Sequence, residues 1–331
     1  MIFIKKLFSL ILLSAIAAVA ILAYWSFQPL DSSEQNKNTL DFSIKSGSGV
    51  RGAARQIGDA GVPVNPYLFE ILARATGNAN KLKAGSFEAN LDESPWRLLN
   101  KIVNGEFSQA SVSIIEGWTF QQMRKVIDAH PAIRHDTLGM SAPELMRKIN
   151  SSYQLPEGLF YPDTYLFAKG SSDLLIYQQA HQAMLKRMED VWVSKSAALP
   201  YKNVYEALIM ASIIEKETGQ SSERSMIAAV FINRLKLGML LQTDPTVIYG
   251  MGEMYKGKIR KVDLLTDTPY NTYTRSGMPP TPIALPGLAS LSAAMAPEKS
   301  DALYFVSRGD GSSQFSSNLM EHNRAVNKYQ R

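Results

Sequence analysis

Hydrophobic and polar positions divide the chain into three stretches of different texture. The first is an unbroken apolar run from Leu7 to Trp25, about 19 residues, with Ser9 and Ser14 its only polar members; that length spans a bilayer. Residues 28–40 are polar and read as a linker. From Asp41 the pattern takes on the scale of a folded domain. Phe42-Ser43-Ile44 alternates as a strand does, Gly47-Ser48-Gly49 turns, and Val50 to Ala60 places Ala53, Ala54 and Ile57 on one helical face. A second helix is expected from Leu68 to Ala75 and a turn and strand over Lys83 to Ala89. A third helix opens with Ser94 as N-cap and Pro95 at its first position, ending near Asn104-Gly105.

The third stretch begins with a strand-like Val112 to Ile115. Helices are expected over Phe120 to Ala129, Leu174 to Lys195, Val204 to Thr218 and Ser225 to Leu237. Beyond Gly238 the chain is loop-rich, with Pro279, Pro280, Pro282 and Pro286 close together, and closing strands are expected at Ala302 to Val306 and Gln314-Phe315. The helix from Val204 is apolar almost all round, which predicts burial, yet it ends in Glu215-Lys216-Glu217 before Gly219. Burial raises a carboxyl pKa and makes it a usable proton donor near neutral pH. Glu217 shares a face with Met210, Ile213 and Ile214, and Glu215 one with Val204, Leu208 and Ala211. Two residues apart on a helix, they point nearly opposite ways and cannot form a carboxylate dyad. Helix geometry alone also allows both to be solvated end charges.

Composition narrows the chemistry. Hydrophobic residues make up 45% of the chain and charged residues 20%, enough for a sizeable core; the net charge of +5 is scattered rather than clustered, which argues against nucleic-acid binding. The absence of cysteine excludes disulfides and thiol nucleophiles. Of His130, His135, His181 and His322, none stands in an H-E-x-x-H arrangement, so no metal site is expected. Lys5-Lys6 precede the apolar run, Asp31 and Glu34 follow it, and Tyr24-Trp25 sit at aromatic-belt depth. The N-terminus is therefore expected in the cytoplasm and the remainder outside it. Ala18-Val19-Ala20 also matches a signal-peptidase site, but the apolar stretch continues past it, which favours a retained anchor.

Two further polar clusters follow the glutamates. Gln242, Thr243 and Asp244 occupy a turn after an apolar helix, and Tyr270-Asn271-Thr272-Tyr273 precede the proline-rich loop. Tyr and Asn suit sugars, with an apolar face for the ring and hydrogen bonds for hydroxyl and amide groups. Each cluster taken alone is equally well explained by turn chemistry. Taken together, the blocks Ala211 to Thr218, Val230 to Leu235, Leu241 to Gly250, Tyr270 to Tyr273, Glu116-Gly117 and Tyr161 to Tyr165 resemble the endolytic murein transglycosylases of the YceG-like family over essentially the whole chain. Weaker matches lack context: Arg308-Gly309-Asp310 is a short tripeptide, and Gly250-Met251-Gly252 has no strand–turn–helix setting.

The resemblance implies an α+β protein: an anchor over residues 1–27, a linker over 28–40, a LysM-like glycan-binding module over 41–108 and a mixed α/β lytic transglycosylase domain over 109–331. It implies Glu217 as the catalytic acid, since Glu217-Thr218, Gln242 and Tyr270-Asn271 follow the family order, and Gln242, Asp244, Tyr270, Asn271 and Tyr273 as substrate-binding residues. The implied reaction cleaves the MurNAc–GlcNAc β-1,4 bond without water, leaving a 1,6-anhydro end. It needs no cofactor, and the expected partners are peptidoglycan strands, the membrane and the cell-wall synthesis machinery. The implied location is the bacterial inner membrane, single-pass, with the catalytic domain in the periplasm. The alternative class is a membrane-anchored glycan-binding scaffold without catalysis. Orientation is checked by a fusion after Arg331: a periplasm-dependent reporter is expected to be active, and a silent one beside a working cytoplasmic reporter reverses the topology.

Overall fold

The computed structural model describes residues 2–31, 39–197 and 199–330, so the middle of the expected linker, residues 32–38, lies outside the described residues. The chain forms two compact units. The first comprises Met1–Ser111 with Ala132–Arg134 and Leu166–Ser171; the second comprises Val112–Pro131, His135–Tyr165 and Ser172–Arg331.

In the first unit, α1 (Ile2–Phe27) is followed by β1 (Thr39–Ile44), α2 (Val50–Asp59), α3 (Pro66–Ala75), β2 (Gly85–Asn90) and α4 (Pro95–Asn104). Ile4–Phe27 has a mean hydropathy of 2.5 and is long and apolar enough to cross a membrane. β1 and β2 pair antiparallel with Phe42 opposite Phe87, whose rings stack at 5.6 Å. Behind them lie Ile57, Phe69, Leu98, Leu99 and Ile102, with Trp25 and Leu30 against the edge of this core. The helices start where side chains satisfy their free N–H groups: Asn65 Oδ1 accepts from Tyr67 N and Leu68 N, and Ser94 Oγ accepts from Arg97 N. The late segment Leu166–Ser171 joins this unit through Lys169, whose Nζ reaches Asp41 at 2.7 Å and whose N–H donates to Ser108 O at 2.9 Å.

The next elements in chain order are β3 (Gln109–Ser113), α5 (Phe120–Asp128), α6 (Ala142–Lys148) and β4 (Thr164–Ala168), with β3 and β4 paired to each other. There follow α7 (Asp173–Val193), α8 (Val204–Glu217), α9 (Arg224–Lys236), α10 (Asp244–Met251), α11 (Lys261–Leu265), α12 (Leu288–Met295), the antiparallel hairpin β5 (Tyr304–Ser307) and β6 (Ser313–Ser316), and α13 (Leu319–Tyr329). The second unit is built around α8, in which every residue from Ala207 to Ile214 is buried against α7, α9 and α12. Its one polar member there, Ser212, donates to Ile209 O at 2.7 Å and accepts from Ile283 N at 3.0 Å.

The architecture is mixed α and β, with an N-terminal apolar helix, as the pattern predicts. Several helices depart from that pattern: α10, α11, α12 and α13 fall in the stretch expected to be loop-rich, and α6 forms where no element is expected. α10 starts on Asp244 with Pro245 in its first turn, so the residues that announce a turn are the start of a helix. α12 is buried on most of its length and shows no amphipathic period.

Phe87 is fully buried at the centre of the first unit. Phe87→Ala is expected to lower its stability by ~3–5 kcal/mol, read as an earlier denaturant midpoint at unchanged slope. A loss below about 1 kcal/mol would place the core elsewhere.

Candidate active site

The end of α8 sorts its two glutamates onto different partners. The helix begins at Asn203, whose side chain accepts from Glu206 N at 3.0 Å, and stops because Thr218 is extended (φ −142°, ψ 135°). Glu215 faces the start of α12: Gly287 N donates to its Oε2 at 3.0 Å, Arg224 lies 3.6 Å from Oε1, and only 6% of its side chain is exposed. Glu116 packs into the same place. A Cβ on Gly287 would fall 1.8 Å from Glu116 Oε1, so a side chain here would displace the Glu116 carboxyl. Burial, and then repulsion from Glu215, holds the Glu116 carboxyl above its usual range. Lys216 donates to Gly117 O at 3.2 Å and completes the clamp.

Glu217 points the other way, into a cavity of about 650 Å³. Its Oε1 accepts a hydrogen bond from the Thr243 hydroxyl. Burial pushes the Glu217 carboxyl up; Asp244 adds to this, while the Thr243 bond and Arg234 oppose it. Thr243 is itself aimed from behind. Its N–H donates to Thr272 Oγ1 at 3.1 Å, its carbonyl accepts from Thr246 Oγ1 at 2.8 Å, and Thr246 and Thr272 share a further bond of 2.9 Å.

Gln242, Asp244 and Tyr273 line the same cavity, together with Arg234, Tyr304 and His322. Gln242 sits at φ 51°, a left-handed conformation that costs a non-glycine residue about 1–2 kcal/mol. It is held there by its N–H on Thr272 O at 3.1 Å, which leaves its side chain exposed. Tyr273 donates to Asp244 Oδ1 at 2.5 Å. Arg234 is pinned by Leu303 O and Leu241 O, each at 2.7 Å, and its guanidinium lies over the Tyr304 ring. His322 stacks on the same Tyr304 ring at 5.1 Å, and burial pushes its pKa down. Arg234, Tyr304 and His322 carry no local signal; Arg234 alone lies in a block shared with the family.

Tyr270 and Asn271 are not among the walls of this cavity. Asn271 is 1% exposed, and both ends of its amide are spent inside the protein. Its Nδ2 donates to Leu264 O at 3.0 Å and Thr266 O at 2.7 Å, and its Oδ1 accepts from Tyr273 N at 2.9 Å. It therefore orders the loop that presents Tyr273. Tyr270 shares a bond of 2.9 Å with Thr281 Oγ1 and meets Tyr249 edge-on at 4.9 Å. Tyr249 in turn donates to Glu157 Oε2 at 3.0 Å, and Phe120 N donates to Glu157 Oε1 at 3.0 Å. Burial raises the Glu157 pKa from 4.5 to about 7. Glu157 and Tyr249 line a separate cavity of about 800 Å³. Nothing in the sequence around Glu157 marks it, because its burial comes entirely from distant elements.

In the cavity around Glu217, a carboxyl with a raised pKa, a hydroxyl that orients it, and amide, phenol and guanidinium groups around it form an arrangement able to transfer a proton to a polar substrate. Among the described residues, one histidine–carboxylate group has metal-ligand spacing, Asp128, His135 and Asp173, and none of the three lines this cavity.

Known proteins resemble this chain along most of its length. An endolytic murein transglycosylase of Bacillus subtilis strain 168 is 31% identical over 315 residues, covering 89% of this chain and 86% of that one. One from Streptococcus pneumoniae serotype 2 strain D39 is 26% identical over 339 residues; the match takes in 91% of this chain but 60% of that longer protein. The crystal structure of a YceG-like protein from Listeria monocytogenes superposes with a TM-score of 0.55 at 33% identity, over 87% of this chain and 99% of that one. The family profile itself aligns with residues 42–328, which takes in most of both compact units and all but Gln330 of the residues lining the cavity around Glu217, and the chain belongs to the YceG-like family.

Proposed function

We propose that Glu217 is the acid–base group of an endolytic murein transglycosylase. Family membership and the relatives' names carry the activity, a lyase reaction on peptidoglycan. The observation that carries the residue is the position of Glu217: last on a buried helix, raised in pKa by burial, bound to Thr243 and open to the 650 Å³ cavity.

In this reading the protonated Glu217 gives its proton to the oxygen of the MurNAc–GlcNAc bond. As that bond breaks, the carboxylate takes the proton from the muramoyl C6 hydroxyl, whose oxygen closes on C1 to give a 1,6-anhydro end. The nucleophile belongs to the substrate, so proximity is supplied by covalent tethering, and the second carboxylate of an ordinary glycosidase is unnecessary. Thr243 supports the ionised form in mid-reaction while burial favours the protonated form at the start. Gln242, Asp244 and Tyr273 are proposed to hold the glycan, Tyr273 through its ring face and Gln242 through its free amide. Tyr270 and Asn271 support this wall from behind.

The antiparallel pairing of β1 and β2 around α2 and α3 supports reading residues 41–108 as a LysM-like glycan-binding module, with residues 109–331 as the catalytic domain. The apolar helix supports a single-pass anchor in the inner membrane, with the catalytic domain in the periplasm, where nascent strands and the cell-wall synthesis machinery are within reach.

Glu217→Gln is expected to reduce anhydro-muropeptide release from purified peptidoglycan by at least ~10²-fold, the low end for general acid catalysis, with the fold retained. Because the donor must be protonated, the wild-type rate falls as pH rises through the raised Glu217 pKa. Undiminished release by Glu217→Gln removes it from the mechanism, and loss of all cleavage by wild type under the same assay favours the scaffold.

Asn271→Ala is expected to cost about 1–3 kcal/mol by removing the hydrogen bonds that a buried amide makes to Leu264 O, Thr266 O and Tyr273 N and to lower turnover through Tyr273. Full stability in thermal unfolding would show that the amide clamp is dispensable.

Glu157 provides a separate titration. Its folded pKa of about 7 lies above the ordinary 4.5, so the folded state binds the extra proton between these values. Its contribution to stability is fully present below 4.5 and is lost as pH rises through about 7. Glu157→Gln is expected to flatten the decline of melting temperature over that window, and an unchanged decline would assign it to other groups.

A further inference from the structure

Three side chains outside the Glu217 cavity converge where α5 ends and α7 begins. Asp128 is the last residue of α5, His135 stands in the connection that follows, and Asp173 is the first residue of α7. One ligand-capable atom from each lies within 4.8 Å of the other two. Asp173 is 0% exposed. Its Oδ2 is fully engaged, accepting from Thr137 N at 3.1 Å and Thr137 Oγ1 at 2.7 Å. Its Oδ1 has no hydrogen-bond partner, and neither do Asp128 Oδ1 or His135 Nδ1, although all three atoms are buried. Arg124 answers a different atom, lying 3.7 Å from Asp128 Oδ2 while its other nitrogen donates to Thr137 O at 3.1 Å.

Buried carboxylate oxygens are strongly unfavourable when nothing pairs with them. Here two such oxygens and an imidazole nitrogen belong to three residues whose ligand-capable groups lie within 4.8 Å of one another. All three can act as electron-pair donors to a cation, and none is hydrogen-bonded to another. We propose that Asp128, His135 and Asp173 bind a divalent transition-metal ion, with Zn²⁺ the best match. One imidazole nitrogen and two carboxylate oxygens are the mixed donor set that Zn²⁺ accepts, whereas Mg²⁺ and Ca²⁺ prefer oxygen alone. Zn–N and Zn–O bonds of about 2.0–2.2 Å in a tetrahedral site set neighbouring ligand atoms roughly 3.4 Å apart, so atoms that lie within 4.8 Å of one another close on the ion by at most about 1.4 Å. Thr137 fixes the Asp173 carboxylate from behind, as outer-shell groups do at metal sites. The ion fastens the end of α5 to the start of α7, and its role is structural. Sequence spacing hides the site because its ligands come from three separate segments and form no H-E-x-x-H pattern.

The test is zinc binding by the full-length protein in detergent, freed of affinity tags and stripped with chelator. Calorimetric titration with Zn²⁺ is expected to give one ion per chain, with a higher melting temperature for the loaded protein. Asp173→Asn and His135→Ala are each expected to weaken binding by at least ~10-fold and to abolish the zinc-dependent rise. Asp128→Asn, at the half-buried end of a helix, serves where either of these fails to fold. Three outcomes overturn the proposal: no stoichiometric binding by wild type, equal binding by wild type and variants, or a melting temperature that ignores zinc.

Discussion

A helix with no wet face has to be wrapped on every side, and the wrapping of α8 is the constraint on which the second unit depends. From Ala207 to Ile214 there is no position that tolerates water, so α7, α9 and α12 are drawn onto it. Polar side chains can emerge only where the wrapping ends. Glu215 and Glu217 are the first acidic positions there, and their separation of two residues turns them to opposite sides. One side is closed by Arg224 and the Gly287 amide. The other opens on a cavity. Burial of the helix thus yields both an ion-paired carboxylate and a cavity-facing carboxyl of raised pKa from the same three-residue tip.

Environment, rather than residue type, separates the acidic groups of this unit. Burial raises Glu116, Glu157 and Glu217 alike. Glu116 adds the repulsion of Glu215, and Glu157 has both oxygens occupied by Phe120 N and Tyr249 Oη. Glu217 differs in having one oriented hydroxyl partner, Thr243, and an open side. A raised pKa by itself does not distinguish these carboxyls; the free face does.

The helices α2, α3, α4, α5, α7, α8 and α9 are legible in the sequence, because a one-sided apolar face or a long apolar run marks each of them. The later, mostly short ones are not. α10 begins with Thr243-Asp244-Pro245, which local chemistry equates with a turn, and α12 is enclosed by neighbours that lie far away in sequence. The same distinction runs through the site. Gln242, Asp244 and Tyr273 stand out as polar groups beside apolar segments, and the fold brings them to Glu217. Asn271 carries the same signal, yet its amide is consumed by three backbone groups that no pattern of side chains reveals. Glu157 and His322 leave no trace, since what sets their chemistry is packing from remote segments.

The amide of Asn271 has a consequence for recognition. By tying Leu264, Thr266 and Tyr273 together, it fixes the shape of one cavity wall while the chain folds. The conformational entropy of that segment is surrendered then, not when a polymer chain arrives. A long, flexible glycan must lose its own freedom on docking, and a wall that is already ordered adds nothing to that penalty. A wall ordered in advance lets a polymer be held by few contacts, because less freedom is lost when it docks.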